Sequence, residues 1–563
     1  MQEEKRVCQN CKKEFVIEPD DFAFYKKIKV PPPTFCPECR FQRRLAFRNE
    51  RNFYRRKCDL CGKGIISVYG TETKFPVYCI KCWWSDNWDP YSYGQDYDPS
   101  KFFISQFKEL SDKVPALAIM NDDGVASFNC EYTYDCAFSK NCYMHVCGWF
   151  LENVLYSYDV NHAKDIMDCW NVNNSELVYE SVNCDRCYNC AYCDLCFDCN
   201  DCLLSSDLKG CSNCVMCTGL RNQQYCILNK RYSKEDYAGE LKRLNLSDRE
   251  SLQNALKEYN AFSLKFPKKY AYLLKSVNST GFFLIEAKAA RNCFYGFSPI
   301  ENSAYIVIND GAKDSFDCNN TGNPELCYES VTPDNSRGNK FSIFCWKCVE
   351  AEYSNNCHSC VSVLGCSALK HGSYVILNKR YSKEEYISLR EKIIQEMTRA
   401  GEWGEFFPVS MSPFAYNESA AMDWFPDSRE NVSQMGFSWK EDVQRNYDIT
   451  KNGTDLPKDM VGTTDEILKD IVSCDHHGTC QERCTTAFKI TEAELQLHRR
   501  FNLPLPTLCP NCRHYQRLGR RNPPKLWHRK CMKPGCTNEF ETSYSPDRPE
   551  IVYCEACYNA EVA

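Results

Sequence analysis

Between Cys130 and Cys226 the chain carries 16 cysteines, and 15 of them lie a multiple of three residues apart. The period outlives the cysteines. Reading every sixth residue from Cys130 gives an apolar residue at 16 of 17 positions, with Val154, Val160, Ile166, Val172 and Val178 continuing the column that Cys184, Cys190, Cys196 and Cys202 occupy. The column read from Thr133 is mostly Cys, Ser, Ala and Thr, and that read from Asn129 is Asn or Asp at 12 of 15 positions. An inward column, a small inward column and a turn column at a fixed period describe a β-solenoid, in which each coil covers its neighbour.

The run Cys184, Cys187, Cys190, Cys193, Cys196, Cys199, Cys202 also has the spacing of iron-sulfur ligands. Because valine and isoleucine fill the same column elsewhere and bind no metal, buried cysteine acting as a small hydrophobe is the preferred reading, with further metal or disulfides as alternatives. The core pattern resembles the twelve-residue coils of small beetle antifreeze β-helices, without their outward Thr-x-Thr array. A second solenoid is expected 149 residues on: HAKDIMDCWNVNNSELVYESVN at 162–183 aligns without a gap to GAKDSFDCNNTGNPELCYESVT at 311–332, and CILNKRYSKEDY at 226–237 to VILNKRYSKEEY at 375–386. Each is expected to end in a capping helix announced by Ser233-x-x-Asp236 or Ser382-x-x-Glu385, with a further helix starting at Ser247-x-x-Glu250.

The two ends of the chain repeat each other. Cys8, Cys11, Cys36, Cys39, Cys58, Cys61, Cys79 and Cys82 recur as Cys480, Cys484, Cys509, Cys512, Cys531, Cys536, Cys554 and Cys557, with gaps of 24, 18 and 17 residues identical in both copies. Two short knuckles that each offer two thiolates suit a tetrahedral four-sulfur zinc site. Four structural Zn2+ ions are therefore expected. The third site is the least regular, since Cys474, His476 and His477 stand nearby as competing ligands. Sets of four cysteines leave no open position, which argues for a structural role.

A basic segment follows the first knuckle pair in each copy. Residues 40–57 hold Arg40, Arg43, Arg44, Arg48, Arg51, Arg55, Arg56 and Lys57 against one acid, and residues 513–530 hold Arg513, Arg517, Arg520, Arg521, Lys525, Arg529 and Lys530 against none. Phe41, Phe47, Phe53, Tyr54, Tyr515 and Trp527 are interleaved with them. Arginine forks match phosphate oxygens and aromatic faces stack on bases, so nucleic acid is the expected partner; a solvated connector with its aromatics packed inward is the alternative.

The formal charge is only −6, so the rest of the chain is acidic. The start, MQEEKRVCQN, lacks the apolar stretch of an export signal, no run of 18 apolar residues occurs, and a reducing cytoplasm would keep 41 cysteines available to metal. No Ser/His/Asp set, phosphate-binding glycine loop or HExxH helix is present. CPECRFQRR, LPLPTLCPNCRHYQRL, KRYSKEEY and PDRPEIVYCEACY resemble segments of cysteine-rich proteins from uncultured, small-genome bacteria. The resemblance implies terminal zinc ribbons around a cysteine-repeat middle and brings no activity with it.

The expected architecture is mainly β and multidomain, with tandem zinc ribbons at both ends of two duplicated β-solenoids. The expected segments are 1–57 and 58–90 (ribbons), 91–126 (aromatic linker), 127–232 (first solenoid), 233–278 (helical cap), 279–381 (second solenoid), 382–400 (capping helix), 401–470 (linker), and 471–530 and 531–563 (ribbons). The expected function is a non-enzymatic zinc scaffold presenting basic modules to RNA or a ribonucleoprotein. A redox or iron-sulfur protein and a scaffold for protein partners are the alternatives.

Overall fold

The computed structural model describes residues 2–121, 126–441 and 446–562; positions 122–125 and 442–445, which fall in the expected linkers, lie outside the described residues. The protein is strand-rich and multidomain, with cysteine clusters at both termini. It divides into two units, neither of them a single stretch of chain: Met1–Asp123 with Tyr272–Glu441, and Gly124–Ala271 with Asp442–Ala563. Each pair of terminal cysteine modules thus shares a unit with the repeat region farther from it in sequence.

In the second unit the repeat region is a stack of parallel coils of twelve residues. Tyr158 pairs with Trp170 and Trp170 with Val182 along one side, and Lys164 with Glu176 and Glu176 with Tyr188 along another. Every third residue from Asn129 to Leu228 is left-handed, with only Gly210 and Gly219 among them lacking a side chain. Each triplet therefore supplies one ladder residue, one left-handed residue and one inward residue, and the chain bends four times per coil. The left-handed state strains most side chains and is easiest for Asn and Asp, which fill most of one of the two left-handed columns, while Tyr132, Phe138, Met144 and Tyr156 stand in the other. Ladder hydrogen bonds compensate for the strain: the left-handed Asn141 donates its N–H to Phe128 O at 3.0 Å, and Lys140 donates to Leu151 O at 2.8 Å. Side chains of the column bond along the stack as well, Asn129 to Asn141, Asn141 to Asn153 and Asn153 to Asp165, at 2.8–3.0 Å.

The inward residues form one core running from Cys142 to Cys226. Its small column has a second task. Inward N–H groups lie off the ladders, and the hydroxyl one coil earlier accepts them: Ser157 from Cys169, Ser175 from Cys187, Ser181 from Cys193 and Ser205 from Cys217, at 3.0–3.1 Å. Cysteine does the same more weakly, with Cys217 Sγ accepting from Asn229 at 3.4 Å. Cysteine thiols in turn donate to carbonyls two residues back, as Cys190 does to Tyr188 at 3.4 Å and Cys193 to Ala191 at 3.5 Å. Small, narrow and able to hydrogen-bond is what these positions require. Gly148 interrupts the apolar column, and the buried imidazole of His145 fills its place: a Cβ at Gly148 would meet His145 Nε2 at 2.4 Å and Val160 O at 2.5 Å.

Cys190→Ala and Cys196→Ala are each expected to cost on the order of 1 kcal/mol in urea unfolding and to leave metal content unchanged. Cys193→Ser should be nearly neutral, because Ser181 and Ser205 stand in the same column one coil to either side. A stoichiometric drop in bound metal with either alanine would identify ligands instead.

The first unit repeats the design over Leu273–Ile376, with twelve-residue offsets such as Phe316 to Tyr328 and His358 to Lys370. One extra residue sits between Phe294 and its partner Val307. Both stacks close in a short hairpin, Ile227 pairing with Lys230 and Ile376 with Lys379, around left-handed Leu228–Asn229 and Leu377–Asn378. Helices Lys234–Leu244 and Lys383–Ala400 follow, capped by Ser233 and Ser382 as expected, and they bury Tyr237 and Tyr386. The Arg249–Ser263 helix starts one residue later than expected: Asp248 caps it by accepting the Ser251 N–H, and Ser247 stays outside. Among the described residues, no helix is long and apolar enough to cross a membrane.

Candidate metal centres

Four groups of four cysteines could hold metal ions: Cys8, Cys11, Cys36 and Cys39; Cys58, Cys61, Cys79 and Cys82; Cys474, Cys484, Cys509 and Cys512; Cys531, Cys536, Cys554 and Cys557. About four ions are thereby accommodated. An ion about 2.3 Å from each of four sulfurs sets sulfur–sulfur edges of about 3.8 Å. The observed edges cluster around that value: 3.7 Å for Cys11–Cys36, 3.8 Å for Cys474–Cys512, 3.5 Å for Cys509–Cys512 and 3.9 Å for Cys536–Cys554.

Local structure builds each group in the same way. The first sulfur accepts the backbone N–H of the third cysteine: Cys8 from Cys36 at 3.3 Å, Cys58 from Cys79 at 3.3 Å, Cys474 from Cys509 at 3.2 Å and Cys531 from Cys554 at 3.3 Å. Left-handed Lys12 and Gly62 reverse the chain after Cys11 and Cys61, their N–H groups returning to Cys8 O and Cys58 O. The third cysteine is the N-cap of a helix in three groups: Cys36 of Pro37–Leu45, Cys79 of Ile80–Trp84 and Cys509 of Pro510–Arg520. Helix N-termini and aimed N–H groups both favour thiolates. Burial raises the Cys8 thiol, but the N–H groups of Cys36, Cys11 and Asn10 outweigh it and bring it down to about 7. Cys58 reaches about 7 in the same way, burial being outweighed by the N–H groups of Cys61, Cys79 and Leu60.

Fifteen of the sixteen expected ligands fall into these groups, and one does not. Cys474 replaces Cys480 in the third group. The reason lies in the strand that precedes the first ligand: Glu4–Val7 runs directly into Cys8, and Val472–Ser473 runs directly into Cys474, whereas Cys480 sits within a loop. Equal spacing to Cys509 obscured this; the strand ahead of the cysteine was the better signal. All 41 cysteines are free thiols, and among the described residues no three thiols of the coil stacks come together as the terminal ones do.

Six of the fifteen Lys and Arg residues of the basic segments lie inside the protein. In the first unit Arg40, Arg43, Arg44 and Arg48 are buried. Arg40 meets Asp317 at 2.9 Å, Arg43 meets Glu329 at 3.0 Å and Glu405 at 3.1 Å, and Arg44 meets Glu329 at 3.2 Å and Asp317 at 3.5 Å. Arg48 pairs with Glu50 at 2.5 Å and also bonds the Thr332 hydroxyl. The second unit repeats the arrangement. Arg513 meets Asp168 at 3.0 Å and Glu494 at 2.9 Å, and Arg517 meets Asp168 at 2.8 Å and Glu180 at 2.9 Å. The alignments found in sequence superpose the two sets: Asp168 and Glu180 correspond to Asp317 and Glu329, and Arg513 and Arg517 to Arg40 and Arg44.

Twelve residues separate the two acids in each stack, so they occupy equivalent places on successive coils, where Arg44 or Arg517, shared between them, helps to offset their repulsion. Burial pushes the Glu329 carboxyl up against the pull of Arg43 and Arg44, and the Glu180 carboxyl up against that of Arg517. Burial likewise opposes the charge of Arg40 and Arg513, yet Asp317 and Asp168 hold both well above the ordinary range.

Phosphate contact, expected for the whole basic set, is thereby corrected for Arg40, Arg43, Arg44, Arg48, Arg513 and Arg517, whose guanidinium groups have no face left for solvent. The remaining members lie closer to the surface. Arg51 is half-buried and Arg55 exposed, while Arg56 is tied to Asp59 at 2.9 Å. Arg520 is half-buried, with Glu180 at 3.4 Å; Arg521 lies 5.2 Å over the Trp170 ring, Lys525 is exposed, and Arg529 reaches Tyr544 O and Ser545 O. Of the interleaved aromatics, Phe41 packs inward against Trp424 and Phe425 and Phe47 against Phe406, while Phe53, Tyr54, Tyr515 and Trp527 are half-buried. The acid partners went unnoticed in the sequence, although an Asp and a Glu twelve residues apart stand in both copies of the duplicated segment.

No protein-family model matches the chain, and no curated protein matches it. Among solved structures, the chain is similar to a crystal structure described as a "putative acetyltransferase" from Desulfovibrio desulfuricans G20, at 9% identity and a TM-score of 0.10, over 49% of this chain and 82% of that one.

Proposed function

We propose that the protein is a non-enzymatic, zinc-binding scaffold: two β-solenoids, each clamped by a pair of zinc ribbons, with the outer solenoid faces offered to protein partners. The observation that carries this reading is the burial of both arginine helices against solenoid acids at equivalent positions. Duplicated basic modules that bind inside the molecule serve its architecture. Zinc fits the all-thiolate tetrahedral sets, and four sulfurs leave no open position for a substrate. The first solenoid also displays a ladder of stacked rings on successive coils, Phe138–Phe150 at 5.0 Å and Phe150–His162 at 4.8 Å, beside a groove of about 730 Å³ lined by Glu152, Lys164, Glu176 and Arg186. Phe138 and Phe150 are about half exposed. Rings stacked on one another present their edges outward, which suits a protein surface better than an unpaired base in need of a free face.

The test is a titration of the zinc-loaded chain with mixed-sequence single-stranded RNA at about 100 mM salt, where the Debye length is about 10 Å. No binding tighter than roughly 100 μM is expected. Tighter binding that falls steeply with salt would overturn the scaffold reading and restore nucleic acid as the partner, with Arg51, Arg55 and Lys525 as the first residues to examine.

A further inference from the structure

The third cysteine module differs from the first by an insertion, and the insertion is made of ligands. Two residues separate Cys8 from Cys11, whereas nine separate Cys474 from Cys484, and these include His476, Cys480 and Glu482. The loop folds back on its own module. His476, Cys480, Glu482 and Cys512 each bring a ligand atom within 4.8 Å of the others, a fifth such group in which Cys512 belongs to the third four-sulfur set as well. Cys480 Sγ lies 3.7 Å from Cys512 Sγ, again one tetrahedral edge. Cys480 is not part of the group formed by Cys474, Cys484, Cys509 and Cys512, so it adjoins Cys512 without joining that set.

The first module shows what the same sulfur does without the insertion. Cys39, the counterpart of Cys512, accepts an N–H of the Asn10 side chain at 3.4 Å. Cys512 instead faces a second thiol. A polar pair with its facing atoms buried completes the cluster: His476 Nδ1 and Glu482 Oε2 lie 3.0 Å apart, and among the described residues neither atom makes a hydrogen bond. Both side chains are 28% exposed.

We propose that the third module holds two metal ions bridged by the Cys512 thiolate, the second completed by His476, Cys480 and Glu482. This rests on the reading that Cys474, Cys484, Cys509 and Cys512 hold the first. Nitrogen, oxygen and two sulfurs make a tetrahedral set within the range of Zn2+. The charges are compatible: five thiolates and one carboxylate carry −6, two divalent ions return +4, and the net −2 equals that of a single four-thiolate site. The second ion shares a sulfur and takes a carboxylate and an imidazole, which bind Zn2+ less tightly than thiolates do, so it is the more weakly held of the two.

The experiment uses the full chain, loaded with excess zinc and freed of unbound metal, and counts zinc by mass spectrometry. About five ions are expected, falling to about four in Cys480→Ala, His476→Ala and Glu482→Gln, the last keeping size and shape. Cobalt loading supplies a second readout. A thiolate bridge couples the two ions magnetically, and Cys480→Ala should remove the coupling while the bands of isolated tetrahedral cobalt remain. Four ions in the natural chain and four in all three variants would overturn the bridged pair and leave the four-site reading intact. Four ions that fall to three in Cys480→Ala but not in Cys474→Ala would overturn it too, showing one ion held through Cys480. Fewer than two ions in the natural chain would overturn the four-site reading itself.

Discussion

Arg517→Ala is expected to lower the stability of its unit by about 3–5 kcal/mol, the cost of breaking a buried ion pair from one side. The guanidinium is 1% exposed and lies 2.8 Å from Asp168 and 2.9 Å from Glu180. Its removal leaves two carboxyls on successive coils, with Arg513 still on Asp168 and the half-buried Arg520 reaching Glu180. Denaturant unfolding followed by hydrogen exchange locates the loss: the coils bearing Asp168 and Glu180 should lose protection first. Arg44→Ala should act alike in the other unit, through Asp317 and Glu329. Adding Asp168→Asn to Arg517→Ala should cost less than the two changes summed, because the Arg517–Asp168 contact is lost only once. A loss below about 1 kcal/mol for Arg517→Ala would mean that the helix is not docked in solution.

Metal removal should produce the largest change of all. Structural zinc sites in small domains contribute about 10–16 kcal/mol of apparent folding free energy each at neutral pH. Here the cysteine groups that could hold the ions also lie next to the arginine clamps. Cys509 caps the Pro510–Arg520 helix and Cys512 lies in its first turn, directly before Arg513. Cys36 and Cys39 stand in the same relation to Arg40. A strong chelator, or Cys509→Ser, is therefore expected to unravel the module and also to uncover Asp168 and Glu180, with exchange protection falling in Trp170–Asn173 and Glu176–Tyr179 while coils farther along keep theirs. If only the module loses protection, ribbon and solenoid are independent, and the clamp contributes nothing to the stack.

The sequence carried the repeat and the cysteine groups because both rest on local periodicity. A column every sixth residue is a statement about which side chains share a wall, and the structure fills that wall with the residues named, Cys130 and Leu220 being only partly buried. Cys480 was misplaced because spacing alone does not say which cysteine follows a strand. The role of the arginines was hidden for a different reason. Exposed basic helices and buried ones share a composition, and what separates them is a partner: Asp317 lies 277 residues beyond Arg40. Local patterning cannot reveal a charge that distant, although the duplication offered a hint, since arginines and acids are both retained at matched positions.

The crossed assignment of ends to stacks has a consequence for synthesis. The first arginine helix leaves the ribosome long before either set of acids, and the first of the two sets to follow it is Asp168 and Glu180, which belong in the finished protein to Arg513 and Arg517. The helix's own acids, beginning with Asp317, follow Asp168 by 149 residues, roughly 7 to 30 s at ordinary elongation rates. During that interval Arg40 and Arg44 face a near-copy of their own site. Few contacts tell the sites apart: Arg44 reaches Asn319 and Arg48 reaches Thr332, where the first stack has Trp170 and Asn183. A nascent chain that docks early has chosen the wrong acids, and it must let go before the right ones arrive. Trp170 and Asn183 mark where the first site fails to reproduce the second.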